Sequence, residues 1–237
     1  MELIFLGRGA GFFPVEGSTS AYFIDNDELF LIDSGESVFS TILEKKLLDS
    51  VSKVNLLITH THSDHVGSLG TLVLYVFAIK KMEFNIIIDE NINYLPNIRS
   101  LLGIFGLTEK MYRFKNTSEY NGKYSLFNKI RFVKTKHCDE LASCGIMFET
   151  DQGFVFYSGD LNDPAPLSKI MEKGNLIDKI YVDTNNDRKP NLHHISIHQL
   201  NEIVPPELRS KIYCTHIKNY QCIEEAQAYG FNVVEKS

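Results

Sequence analysis

The sequence lacks an excess of positive charge. Its 237 residues carry 24 Lys and Arg against 30 Asp and Glu, which gives a formal net charge of -6 at pH 7. A general polyanion binder needs a clustered surplus of basic side chains, because its affinity comes from neutralising phosphates and releasing their counterions. The composition therefore argues against a general nucleic-acid binder, although a local basic patch stays open. The length fits one large α/β domain over residues 1–237.

The sequence also lacks long apolar runs and paired cysteines. Its longest apolar run, at residues 72–79, is far shorter than the roughly 20 residues that span a bilayer. No basic region followed by an apolar stretch and a small-residue cleavage site is visible at the start, so we expect a cytoplasmic protein with no membrane association. The cysteines form no Cys-x-x-Cys pair and are expected to be free thiols; they are Cys138, Cys144, Cys214 and Cys222.

Short apolar runs bounded by turn residues alternate with helical patterns along the chain. The runs predict strands at residues 3–6, 21–24, 29–32, 54–58, 84–88, 130–133, 146–150, 154–157, 180–183, 212–215 and 232–234. Helical periodicity predicts helices at residues 38–48, 69–80, 92–102, 166–172 and 196–203. Two halves of similar content with no linker between them predict an α/β protein, an αββα sandwich of two mixed β-sheets flanked by helices.

A dense group of possible metal ligands follows one of the predicted strands. His60, His62, Asp64 and His65 lie within six consecutive positions directly after the apolar run that ends at Ile58. Zinc favours imidazole and carboxylate ligands, and a loop that leaves a strand end can direct alternate side chains into one cavity. A single histidine would more often be an ordinary surface or core residue. The crowding here favours metal binding instead.

Three further strand ends each offer one more suitable ligand, namely His137, Asp160 and His216. Because one loop alone would not complete two coordination shells, the sequence predicts a centre for two divalent ions. Cys214 shares strand parity with His216 and is a weaker candidate for the same site. Two ions a few ångströms apart activate water and hold attacking and leaving oxygens, which is the chemistry of hydrolysis.

The His-x-His-x-Asp-His pattern of residues 60–65 resembles the signature of the metallo-β-lactamase superfamily. The resemblance implies three sets of ligands: His60, His62 and His137 on one ion, Asp64, His65 and His216 on the other, and Asp160 bridging both. It also implies that Asp33 braces the histidine loop without touching metal. Zinc is the expected metal, and manganese or iron is compatible with the same ligand types.

Two features resemble the branch of this superfamily that contains tRNase Z and related phosphodiesterases. The glycine-rich opening at residues 1–11 is similar to the Leu-Gly-Thr-Gly opening of that branch, and residues 194–196 resemble its His-Ser-Thr motif. The resemblance implies that His194 stabilises the phosphate and protonates the leaving oxygen, while Asp64 orients or deprotonates the attacking water. A helix-capping or surface role for His194 is the alternative.

The roles of two nearby charged residues stay open at this stage. Asp183 stands where the branch often carries a glutamate that orients the catalytic histidine; it keeps the charge on a shorter side chain. Lys218 follows His216 by two positions and is either a phosphate contact or a solvated surface lysine.

The spacing of the ligands bears on the substrate. Only 22 residues separate His137 from Asp160, which is room for a hairpin but not for the long basic arm that tRNA-processing members of the branch place there. The leading hypothesis is therefore a two-zinc phosphodiesterase for a small phosphodiester, such as a cyclic or short nucleotide, and the resemblance also implies a homodimer. The alternatives are a thioester or lactone hydrolase, a tRNA 3′-end processing endonuclease, and a binding protein with structural metals.

Overall fold

The structure is a computed structural model that describes residues 1–89, 91–92, 95–189 and 192–237. In these residues the amino-terminal half forms a six-stranded sheet in which the strand order follows the chain. The first strand pairs antiparallel with the second, and the second pairs antiparallel with the third. The third to sixth strands run parallel to one another. The strands are β1 (Ile4–Gly7), β2 (Ser20–Asp25), β3 (Glu28–Ile32), β4 (Lys53–Leu57), β5 (Glu83–Ile88) and β6 (Arg113–Asn116).

The carboxy-terminal half forms a second sheet with the order β12-β11-β10-β9-β8-β7. The three strands that come first in the chain pair antiparallel, and the four that come last in the chain are parallel. Both sheets are therefore mixed. The strands are β7 (Lys129–Thr135), β8 (Ser143–Thr150), β9 (Gly153–Tyr157), β10 (Ile177–Asp183), β11 (Ile212–Thr215) and β12 (Asn232–Val233).

Helices cover the outer faces of the two sheets. The first four pack on the amino-terminal sheet and the last three on the carboxy-terminal sheet. They are α1 (Val38–Glu44), α2 (Ser63–Val66), α3 (Leu69–Tyr75), α4 (Leu95–Ile104), α5 (Ala165–Met171), α6 (Ile197–Ile203) and α7 (Tyr220–Ala228). No helix within the described ranges is long and apolar enough to cross a membrane.

Because side chains alternate along each strand, each sheet packs against helices on one face and against the other sheet on its opposite face. On β3, Leu29 and Leu31 pack against the helices, whereas Phe30 and Ile32 face the opposite sheet. Successive side chains of a strand point to opposite faces, so a central strand with apolar residues at every position serves two cores at once. The result is helix, sheet, sheet, helix, and the predicted αββα sandwich is confirmed.

The carboxyl ends of the parallel strands meet at one edge of the sandwich. The loop after β4 carries His60, the loop after β9 carries Asp160, and β11 leads directly into His216. In sheets of parallel strands this edge is where ligands bind, because the connecting loops diverge there and leave a crevice. The fold therefore places the candidate ligands on facing loops of the two sheets.

Several element boundaries differ from the sequence predictions. The helix predicted at residues 69–80 is α-helical only to Tyr75 and continues as a wider π-helical turn over Val76–Lys80. The helix predicted at residues 92–102 begins at Leu95 in the described part of the chain and ends at Ile104, and residues 93–94 lie outside the described residues. Likewise, the helix predicted at residues 38–48 is interrupted after Glu44.

Besides the short helix α2, two elements have no counterpart in the sequence predictions, and each has a weak sequence signal. The strand β6 reads Arg-Phe-Lys-Asn, with one large apolar residue, and it is an edge strand paired to β5 alone. The helix α7 begins after Asn219, whose side chain accepts a hydrogen bond from the Cys222 N–H. Only two side chains of α7, Cys222 and Ala226, are buried, so the apolar periodicity that would indicate a helix is weak.

A buried polar network lies between the two sheets, away from the carboxyl ends. Asn55, fully buried on β4, donates to Glu28 Oε2 at 2.7 Å and accepts from the Tyr120 hydroxyl at 2.9 Å and the Asn85 amide at 3.0 Å. The Tyr124 hydroxyl donates to the same Glu28 oxygen. Buried polar groups stabilise a fold only when they are paired, so the network depends on Asn55.

We predict that Asn55→Ala lowers the free energy of unfolding by about 1–3 kcal/mol, because Tyr120 and Asn85 each lose a buried acceptor. Urea unfolding followed by circular dichroism measures the change. The exposed Asn121→Ala is the matched control and should change the free energy by less than about 0.5 kcal/mol. Equal stability of the two variants would contradict a stabilising role for the network.

Candidate metal centre

The histidine loop is folded tightly by its own backbone and by Asp33. The short helix α2 begins immediately after His62, and the His65 N–H donates to the His62 carbonyl at 3.0 Å. The His65 carbonyl accepts from the Ser34 N–H at 2.7 Å, which ties the loop to the segment after β3. His60 and His65 are both buried at this edge. His62 and Asp64 line the cavity at this edge, and the two buried histidines lie next to them.

The first group of candidate ligands is made of three imidazoles. His62 Nδ1 lies 3.0 Å from His60 Nε2 and 3.1 Å from His137 Nε2. Burial lowers the pKa of His60 well below its ordinary value, and it also lowers the pKa of His62 and of His137. The rings are therefore neutral. A neutral imidazole has one N–H and one lone pair, so three nitrogens converging this closely suit a shared cation.

The second group combines imidazoles with carboxylates. It consists of Asp64, His65, Asp160 and His216, whose ligand atoms all lie within 4.8 Å of one another. Asp160 also reaches the first group, because its Oδ2 lies 3.8 Å from His60 Nε2 and 3.7 Å from His137 Nε2. The structure thus brings together all seven residues that the sequence predicts as ligands. Asp160 lies between the two groups, as expected for a bridging ligand.

One buried atom of the second group lacks a normal partner. His65 Nε2 has no hydrogen-bond partner among the described residues, although Asp160 Oδ1 and Asp64 Oδ2 lie 3.4 and 3.5 Å away. Native proteins rarely leave a buried imidazole nitrogen unpaired. A cation seated among these three side chains would satisfy it. The residues present therefore fit a metal ion at this position.

The charges of the second group lead to the same conclusion. Burial disfavours ionisation of Asp160, but His216, His65 and His60 hold its pKa well below its ordinary value. Burial also disfavours a charge on His216, yet Asp160, Asp183 and Asp64 raise its pKa to about 10. In the protein alone, protons on the imidazoles balance the carboxylates. Divalent ions would displace these protons and take over their charge.

Asp33 holds the histidine loop without facing the cavity. Its Oδ1 accepts from the Thr59 N–H, and its Oδ2 accepts from the Thr59 hydroxyl and from His65 Nδ1, each at 2.8 Å. The bond to Nδ1 leaves Nε2 of His65 for the cavity and so fixes which nitrogen can bind a cation. The contacts agree with the bracing role that the resemblance implies. The contribution of Thr59 has no signal in the sequence.

His137 is oriented by the segment that follows β10. Its Nδ1 donates to the His193 carbonyl at 2.6 Å, which directs Nε2 towards the first group. Its own carbonyl accepts from the Asn162 amide at 2.8 Å. His193 therefore acts through its backbone, while its side chain lies exposed at the cavity rim. Neither contact was predicted, because both depend on residues distant in the chain.

His194 lies at the mouth of the same cavity. Its ring is stacked on His216 with centroids 4.9 Å apart, and Nδ1 donates to Asp183 Oδ2 at 2.8 Å. Burial opposes a charge on His194, but Asp183 and Asp160 raise its pKa above its ordinary value. With 24% of the side chain exposed, it is accessible to a bound molecule. These contacts do not support a helix-capping role, since Ser196 caps α6.

Asp183 orients two histidines at once. It is buried at the end of β10, where its Oδ2 accepts from His194 and from the Leu161 N–H, and its Oδ1 lies 3.3 Å from His216 Nδ1. Its short side chain therefore reaches His194 directly. Lys218 is instead paired with Asp187 at 2.6 Å and does not line the cavity.

The weaker candidate Cys214 does not belong to the centre. Its thiol is buried in the core between the carboxy-terminal sheet and its helices. Strand parity fails as a guide here because β11 ends at Thr215 and His216 adopts a left-handed backbone with φ 55°. That conformation turns the His216 side chain away from the Cys214 side of the strand.

Comparisons with solved structures identify the fold. The chain is similar to the metallo-β-lactamase fold protein YhfI from Bacillus subtilis, with 16% identity, coverage of 99% of this chain and 97% of that chain, and a TM-score of 0.74. It is also similar to a diphosphatase of the PhnP family, with 18% identity, 99% and 95% coverage and a TM-score of 0.71. For human tRNase Z, short form, the values are 17%, 99%, 96% and 0.62. At these identities the likeness shows the fold.

Comparisons at the level of sequence give one family. No curated protein sequence matches the chain significantly. A family model described as Anti-Pycsar protein Apyc1 matches residues 1–236, which is nearly the whole chain. The match includes the histidine loop, Asp160, His194 and His216. The chain therefore has the metallo-β-lactamase fold and belongs to the Anti-Pycsar protein Apyc1 family.

Proposed function

We propose that the protein is a metal-dependent hydrolase that opens the phosphodiester of a small cyclic nucleotide with the help of two divalent ions. The observation that carries the proposal is the placement of His194, held by Asp183 at 2.8 Å, beside two adjoining groups of metal ligands. This arrangement supplies a proton donor next to a cation site, as phosphodiester cleavage requires. The Anti-Pycsar family also suggests cyclic-nucleotide degradation.

The dimensions of the cavity favour a small substrate. It has a volume of about 350 Å³ and is lined on one side by residues 10–12 and on the other by His193 and His194. Pockets for small molecules typically start near about 300 Å³. The segment between His137 and Asp160 forms the hairpin of β8 and β9, so this segment contains no long arm that could bind tRNA. These features support a nucleotide over a folded RNA.

The residues of the chain would divide the reaction between them. Two bound divalent ions would supply charge neutralisation and an activated water. Asp64 is ionised, since His216 and His65 hold its pKa below the ordinary value against the effect of burial, and it would orient the attacking water or take up its proton. As the new phosphorus–oxygen bond forms and the ring phosphorus–oxygen bond breaks, His194 would give its Nε2 proton to the leaving oxygen.

We predict that the protein binds two divalent ions per chain and that His62→Ala and Asp160→Ala bind fewer. Activity on 3′,5′-cyclic AMP should fall by at least about 100-fold, because even groups that only support a ligand typically contribute about 10–100-fold. Elemental analysis of protein loaded with zinc or manganese measures the ions, and product formation measures the rate.

The matched control for this prediction is His198→Ala, which removes a histidine that contacts Tyr229 far from the cavity. It should keep both the ions and the rate. Metal-free protein should be inactive, and thioester and lactone substrates should be cleaved poorly. Cleavage confined to those substrates would contradict a phosphodiesterase and support the acyl-hydrolase alternative.

We predict that His194→Ala slows hydrolysis of cyclic AMP by about 100-fold or more while the metal content stays normal, because general acids typically contribute about 10²–10⁴-fold. The loss should be much smaller for bis(p-nitrophenyl) phosphate, whose leaving group needs no proton. The ratio of the two rates, measured with the metal content of each sample, isolates proton donation.

Asp183→Asn tests the hydrogen bond between His194 and Asp183 by removing the charge of the carboxylate. It should lower the rate on cyclic AMP by less than His194→Ala, and the metal content must be measured because Asp183 also lies 3.3 Å from His216 Nδ1. An equal loss on both substrates in His194→Ala would show that the histidine binds phosphate but does not protonate the leaving group.

A further inference from the structure

One large apolar side chain stands at the rim of the otherwise polar cavity. Phe12 lines the cavity, and its relative exposure of 104% shows that the ring lies wholly in solvent. The other side chains that line the cavity are mostly histidines and carboxylates. A single exposed phenylalanine is ordinary on a protein surface. Phe12 differs by its position at this cavity and by the turn that holds it.

The turn that carries Phe12 is closed by a backbone hydrogen bond. The Phe13 N–H donates to the Ala10 carbonyl at 2.8 Å, which places Gly11 and Phe12 at the centre of a four-residue turn. The ring of Phe13 packs edge-on against Tyr220 with centroids 5.1 Å apart. The neighbour of Phe12 is therefore fixed to the body of the protein.

The same turn is tied to the metal centre. The Ala10 N–H donates to the Ile217 carbonyl at 3.0 Å, and the Ile217 N–H donates to the Arg8 carbonyl at 2.7 Å. Since Ile217 follows His216, these hydrogen bonds hold one side of the turn next to a candidate ligand. The position of Phe12 relative to the candidate ligands is thus set by backbone hydrogen bonds and not by a free loop.

The turn also passes directly over a catalytic carboxylate. A Cβ atom on Gly11 would lie 2.9 Å from Asp64 Oδ2, so the Gly11 backbone runs directly against this carboxylate. Phe12 follows Gly11 in the chain, and consecutive Cα atoms are about 3.8 Å apart. The Phe12 backbone therefore begins one residue away from the point where the chain contacts the Asp64 carboxylate. A molecule with its phosphate among the ligands would also meet the Phe12 side chain, because that side chain and the ligands line the same cavity.

We propose that Phe12 is the stacking surface for the base of the nucleotide whose phosphate lies at the metal centre. This inference rests on the proposed function, because it takes a phosphate as the group held at the cavity floor. A flat ring at a polar rim offers one aromatic face, which suits a base, whereas an acyl chain would need an apolar trough. Because every base has a π face, Phe12 selects for the presence of a base and not for its identity.

Kinetics with and without a base test this role. In Phe12→Ala we expect KM for cyclic AMP and for cyclic CMP to rise about tenfold or more, as stacking contributions predict, with kcat within about twofold of wild type. For 1-O-methylribose 3′,5′-cyclic phosphate, which has no base, KM should not change. Ile104→Ala, which removes a similarly exposed apolar side chain on α4, is the control and should change neither. An equal rise in KM for all three substrates would overturn the inference.

A binding measurement separates this inference from the proposed activity. The chain contains no tryptophan, so Phe12→Trp introduces a single tryptophan whose fluorescence can be excited selectively. In metal-loaded protein, the phosphorothioate of cyclic AMP should quench this fluorescence strongly, and the baseless cyclic phosphate should not. Quenching without hydrolysis by wild type would refute the proposed activity and leave the stacking role standing. Emission that is blue-shifted before addition and unaffected by nucleotide would show that a second copy covers the residue, and would overturn the inference.

Discussion

The arrangement at the edge of the sandwich depends on carboxylates that are buried beside imidazoles. Asp33 fixes the histidine loop, Asp160 lies between the two ligand groups, and Asp183 holds His194 and lies against His216. Each is buried, so each would be costly to ionise without its partners. The sandwich supplies the partners because the loops that carry them leave the same ends of parallel strands. The electrostatic requirement therefore constrains the geometry of the whole edge.

The sequence predicts this part of the molecule well because its signals are local. The apolar runs predict nearly all the strands, and the six-residue histidine pattern fixes the loop that carries four candidate ligands. His137, Asp160 and His216 are recognisable because each follows an apolar run. The αββα sandwich follows from the same pattern, since strands with apolar residues on both faces require cover on both sides.

What the sequence does not predict depends on contacts between distant residues. The bond from His137 to the His193 carbonyl joins positions 56 apart, and the Thr59 contact with Asp33 joins positions 26 apart. The Cys214 hypothesis fails for a local reason, a left-handed residue at His216 that no sequence pattern reveals. Phe12 carries no motif, and its place at the rim emerges only from the turn. The homodimer stays a prediction, because it concerns a contact beyond one chain.

The division of the candidate ligands between the sheets has a mechanical consequence. The histidine loop leaves the amino-terminal sheet, whereas His137, Asp160 and His216 leave the carboxy-terminal sheet. Cations bound by both sets would act as a cross-link between the two halves of the sandwich at its open edge. Because ions that bind only the folded chain stabilise it by mass action, the thermal midpoint would rise with metal concentration. The centre would thereby add a cross-link to the backbone hydrogen bonds and core contacts that already join the two halves.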